Sequence, residues 1–160
     1  MGKTIIGISD MKVSRDSEEL LITFSLGSCV GVVIWDPLAK VGGLLHYMLP
    51  QAKLDEEKAR KKPYMFANTG IPLLFKEAYR LGAKKNHLQV KVFGGSQLLD
   101  SSNIFNIGQR NYQIMRRMFE KNNIKIDAED IGGNVNRTVS LEIGTGRTVL
   151  KVSGRGEVEI

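Results

Sequence analysis

Cysteine is almost missing from this 160-residue chain: Cys29 is the only one, and histidine occurs only as His46 and His87. One thiol excludes an intramolecular disulfide and a multi-cysteine zinc site. Asp55, Glu56 and Glu57 do not make up the deficit, because they stand together in a charged run without metal-ligand spacing. No metal and no cofactor are therefore expected. Long apolar runs are missing too, with no stretch of the roughly 18 residues that a membrane-spanning helix needs. Residues 2–11 have neither the apolar core nor the cleavage site of a secretory leader. A cytoplasmic protein with no direct membrane insertion is expected.

What is present fits a globular domain. Apolar residues are 42% and charged residues 25% of the chain, and no linker or internal repeat divides it, so residues 1–160 read as one domain. The formal charge is +6, which draws a protein toward nucleic acid, anionic membrane or acidic protein surfaces without choosing among them. The lysines gather in residues 53–62, interleaved with acids and without aromatic residues for base stacking. That pattern suits a solvated face or loop better than a nucleic-acid site.

Periodicity predicts strands over residues 5–8, 11–15, 20–25, 29–35 and 41–49, then 88–93, 124–126, 137–143, 147–152 and 156–160. Residues 29–35 are apolar on both faces and should form a central strand. Helices are expected over 64–81, broken or bent at Gly70 and Pro72, and over 111–122. This order predicts an α+β fold with mixed sheets and helices layered on one of them.

The residues that carry chemistry lie around one hairpin. If the chain turns at Pro37–Leu38, Trp35 faces Lys40, Val33 faces Gly42, Gly31 faces Leu44 and Cys29 faces His46, all on one side of the ribbon. A free thiol with pKa near 8.5 is a weak nucleophile at neutral pH. A neighbouring imidazole can accept its proton and later protonate a departing amine, as acyl transfer from an amide requires. A lone cysteine without such neighbours is more often a small buried hydrophobe, and Gly27-Ser28 by itself a plain turn. Thr23 shares the parity of Cys29 on the preceding strand and would orient the imidazole if residues 25–28 turn the chain back. Backbone N–H groups near Ser28, or in the Gly94–Gly95 loop, are candidates to hold an oxyanion. His87, in a polar turn, is expected to be solvent-exposed.

The segment Thr23-Phe24-Ser25-Leu26-Gly27-Ser28-Cys29-Val30-Gly31, followed by Gly42-Gly43-Leu44-Leu45-His46-Tyr47-Met48-Leu49-Pro50, closely resembles the CheD family of chemoreceptor glutamine deamidases. The likeness continues through Tyr64, Phe93-Gly94-Gly95, Ile107-Gly108-Gln109-Arg110-Asn111, Asp130-Ile131-Gly132-Gly133 and Arg137. One departure is Asn136, where the family commonly has glycine. The resemblance implies a catalytic triad of Thr23, Cys29 and His46 and a layered α/β/β sandwich like the catalytic domain of cytotoxic necrotizing factor toxins. It also implies conversion of receptor glutamines to glutamates through a cysteine thioester, a glutamyl methylesterase side activity, and the CheC phosphatase as partner. A chain acting mainly as a regulator of CheC, or a basic nucleic-acid-binding domain, are the competing expectations.

Overall fold

The strand that is apolar on both faces, Val30–Asp36, is buried along its whole length. The computed structural model describes residues 1–97 and 106–160. In chain order the described elements are β1 (Gly2–Ile5), β2 (Asp10–Ser14), β3 (Glu19–Leu26), β4 (Val30–Asp36) and β5 (Val41–Tyr47). They continue with α1 (Glu56–Lys61), α2 (Ala67–Arg80), β6 (Gln89–Gly94), α3 (Ile107–Lys121), β7 (Ala128–Ile131), β8 (Arg137–Glu142), β9 (Thr148–Val152) and β10 (Gly156–Glu159). The strands form two five-stranded sheets, ordered β1-β3-β8-β9-β10 and β2-β5-β4-β6-β7. Parallel pairing of β1 with β3 and of β6 with β7 makes both sheets mixed.

Two apolar layers account for the burial of β4. Val32 and Ile34 point toward α2 and α3, against Leu74, Phe75, Met115 and Phe119. Val33 and Trp35 point the other way, into the space between the sheets, against Leu141 and Ile143. The result is the expected layered α/β/β sandwich. Among the described residues no helix is long and apolar enough to cross a membrane.

Several local expectations are corrected. The hairpin between β4 and β5 has a four-residue loop, so Asp36 pairs with Val41, Trp35 with Gly42 and Gly31 with His46. The cause lies in Asp36, whose Oδ1 accepts from the N–H groups of Leu38 and Ala39, while Lys40 takes a left-handed conformation with φ 54°. Helix α2 runs unbroken through Pro72, because the lost bond would have gone to the carbonyl of Asn68, an exposed residue. The charged run contains α1, capped by Asp55, which accepts from the N–H of Lys58. Residues 124–126 form no strand; β7 comes later, at Ala128–Ile131. Strand β1 ends at Ile5, where the predicted one began.

Candidate active site

Strand β3 lies in one sheet and β4 in the other, so the short segment between them must cross the sandwich. Cys29 ends that crossing. Three consecutive carbonyls pin it: Gly27 accepts from the N–H of Ser96, Ser28 from Nδ2 of Asn111, and Cys29 from the N–H of Gly95, each at 2.9 Å. The approach of Gly94 is so close that a Cβ there would strike the Cys29 carbonyl oxygen, and its φ of 116° also demands glycine. Cys29 is partly buried and packs against the cluster between the sheets.

His46 projects from β5 into the same inter-sheet space and is fully buried. Its Nδ1 lies 2.7 Å from Oγ1 of Thr23, a buried residue on β3 in the facing sheet. That hydroxyl also donates to the carbonyl of Ile6 at 2.8 Å. A hydroxyl has one proton to give, so towards His46 it accepts, and Nδ1 carries the ring proton. The lone pair is left on Nε2, which is buried and has no hydrogen-bond partner among the described residues. Thr23 thus holds the tautomer, but from across the sandwich, not from a neighbouring strand.

Cys29 and His46 share one face, as expected, but not as an opposed pair. His46 stands opposite Gly31, and Cys29 lies one diagonal step beyond, past the end of the β4–β5 ladder. Among the described residues no hydrogen bond joins the thiol to Nε2. Burial pushes the Cys29 thiol up to about 11, partly offset by its own backbone N–H beside the sulfur. Burial also lowers the His46 imidazole to about 4. The resting pair is therefore a neutral thiol and a neutral imidazole.

The remaining candidates divide. The N–H of Gly95 is bonded to the Cys29 carbonyl, so Gly95 has no donor to offer an oxyanion, which corrects that expectation. Gly94 shapes the loop. Ser28 adjoins the sulfur, and its carbonyl is bonded to Asn111. His87 sits by Asp36, its Nδ1 3.6 Å from Oδ2, at the opposite end of β4 from Cys29.

The family model for CheD, described as "CheD chemotactic sensory transduction", matches residues 48–152. The chain belongs to the CheD family. Relatives extend the match across the site itself. A probable chemoreceptor glutamine deamidase CheD 1 from Syntrophus aciditrophicus is 56% identical over 154 residues, 96% of each chain. A probable chemoreceptor glutamine deamidase CheD from Solibacter usitatus is 43% identical, covering 97% of this chain and 92% of the relative. One from Pyrococcus horikoshii is 39% identical over 99% of this chain and 97% of its own.

Asn111 and Arg137, both buried beside the site in this CheD chain, were given no role by sequence reasoning. Asn111 interrupts the apolar inner face of α3, at helical spacing from Met115 and Phe119, and that interruption was the available signal. Arg137 is buried and donates to Asp130, to the carbonyls of Gly94 and Gly132, and to Oγ of Ser96. It holds the loop that in turn holds Gly27 and Cys29; its place in phase with the buried Val139 and Leu141 of β8 was the available signal.

Proposed function

We propose that this CheD-family chain converts glutamine side chains of chemoreceptor cytoplasmic helices to glutamate, with Cys29 as nucleophile, His46 as base and Thr23 as the group that orients it. The observation that carries the reading is the Thr23–His46 bond, which leaves Nε2, without a partner among the described residues, buried on the same sheet face as the chain's only thiol.

As Sγ of Cys29 attacks the side-chain carbonyl carbon, its proton passes to Nε2 of His46. The carbonyl π electrons move to oxygen, and the main-chain N–H groups of Ser28 and Cys29, next to the sulfur in the chain, are the candidates to receive the charge. When the carbonyl re-forms, the C–N bond breaks and the Nε2 proton leaves with the nitrogen as ammonia, giving a glutamyl thioester. Nε2 then takes a proton from water; hydroxide adds to the thioester, glutamate departs, and the sulfur recovers its proton. No redox step occurs and no cofactor is called on. The same thioester forms from a glutamyl methyl ester with methanol as leaving group, so a methylesterase side activity belongs to the reading. Binding of the CheC phosphatase is part of it as the partner the family resemblance implies.

The test incubates the purified chain with receptor cytoplasmic fragments and follows, by peptide mass spectrometry, the exchange of NH2 for OH at glutamine. Conversion is expected with the wild-type chain and lost in folded Cys29→Ser and His46→Ala. Full conversion by Cys29→Ser removes the nucleophile assignment. No conversion by the wild-type chain, with CheC still bound, favours a purely regulatory role.

A further inference from the structure

The ladder that sets the distance between β4 and β5 begins at the Val30–Tyr47 pair, so Cys29 and Met48 are the first residues beyond it. Strand pairing alone does not fix the thiol relative to the imidazole. Asn111 closes that gap. Its Nδ2 donates at 2.9 Å to the carbonyl of Ser28, the residue before Cys29, and at 2.9 Å to the carbonyl of Met48, two residues after His46. Its own carbonyl accepts from the hydroxyl of Tyr47 at 2.6 Å, which anchors α3 to β5 at the same level.

A second observation shows that packing is not what Asn111 serves. The side chain is fully buried, and among the described residues Oδ1 has no hydrogen-bond partner. An unpartnered buried oxygen is destabilising, a cost that a leucine of similar size would not incur. The feature that only the carboxamide supplies is its pair of donors, and both point to the main chain flanking Cys29 and His46.

We propose that Asn111 is a positioning residue, a clamp that sets the approach of the Cys29 sulfur to Nε2 of His46. This rests on the reading of those two residues as nucleophile and base. The clamp acts where the pair is most sensitive, since Cys29 reaches His46 along a diagonal and a displacement near 1 Å changes rates by about a hundredfold.

The test compares wild type, Asn111→Ala, Asn111→Asp, His46→Ala and Val90→Ala as full chains. Asn111→Asp keeps shape and Oδ1 but turns the double donor into an acceptor facing two carbonyls. Val90→Ala loosens the helix-side core at the end of β6 remote from Cys29 and controls for lost stability. Two readouts are taken: kcat and KM on a receptor cytoplasmic fragment, and Cys29 alkylation by iodoacetamide as a function of pH. Alkylation assisted by His46 flattens once the imidazole is neutral, whereas an unassisted thiol reacts faster throughout the alkaline range. Both Asn111 variants are expected to lose about tenfold to a hundredfold in kcat with KM within about twofold. Their alkylation profiles should move toward that of His46→Ala, while Val90→Ala keeps the wild-type profile. A folded Asn111 variant with wild-type kcat and profile overturns the proposal, and so does failure of both variants to fold, which would assign Asn111 to stability alone. If His46→Ala itself leaves the profile unchanged, the underlying Cys29–His46 reading falls first. If His46→Ala changes it and the Asn111 variants do not, only the clamp falls.

Discussion

Replacing Thr23 by valine removes one hydroxyl and almost no volume, so it isolates what that hydroxyl does for His46. In the structure Oγ1 accepts from Nδ1 and donates to the carbonyl of Ile6, both inside the sandwich. Without it, a ring N–H and a carbonyl are left buried and unpaired, at about 1–3 kcal/mol for such a group. The folded chain should be less stable by that order. The same energy no longer favours the Nδ1–H tautomer, the one that presents a lone pair at Nε2. A loss of 1–3 kcal/mol in that preference corresponds to about a 5- to 150-fold fall in kcat. Thr23→Ser keeps the hydroxyl and loses a methyl, so it should lose about 1 kcal/mol of stability while kcat stays within about threefold. Thermal melts and steady-state deamidation of a receptor fragment measure both quantities. A Thr23→Val chain with kcat within about twofold of wild type refutes the orienting role. So does a Thr23→Ser chain that loses as much activity as Thr23→Val.

Other perturbations probe the remaining parts of the site. Since burial lowers the His46 imidazole to about 4, kcat/KM should persist well below the ordinary histidine pKa and fall only as the pH drops through about 4, when the base becomes protonated. An acid limb near 6.5 in a pH–rate profile contradicts that burial. Gly94→Ala forces a Cβ onto the Cys29 carbonyl at a positive φ, so it should destabilise by about 2 kcal/mol or more and slow the reaction further by moving the sulfur; denaturant melts and kcat check this. Arg137→Met removes its bonds to Asp130, Ser96 and the Gly94 and Gly132 carbonyls, while Asp130 keeps Arg155 and the Gly94 carbonyl keeps the N–H of Gly132. A loss of about 1–3 kcal/mol is expected in urea melts, whereas an unchanged midpoint would show that the loop holds itself.

The shared face of Cys29 and His46 was legible because side chains in a strand alternate. The β4–β5 hairpin has four loop residues instead of two, yet both versions keep the parity, so Cys29 and His46 stay on one face even though their pairing moves by a step. The longer loop comes from Asp36 capping two N–H groups and from Lys40 accepting a left-handed conformation, neither of which hydrophobic pattern can register. Thr23 meets His46, but by a different route from the one expected. A local turn back was expected, but the chain crosses between sheets and brings the hydroxyl down onto the imidazole from above.

The sequence by itself supplied one thiol and one imidazole as candidates and determined that both face the same side of one ribbon. All of that follows from residue chemistry and the two-residue period of a strand. Tertiary structure alone decided the tautomer of His46, the neutrality of the resting pair, and the hold of Asn111 and Arg137 on the loops. Those properties depend on burial and on bonds between residues distant in the chain, which no local pattern encodes.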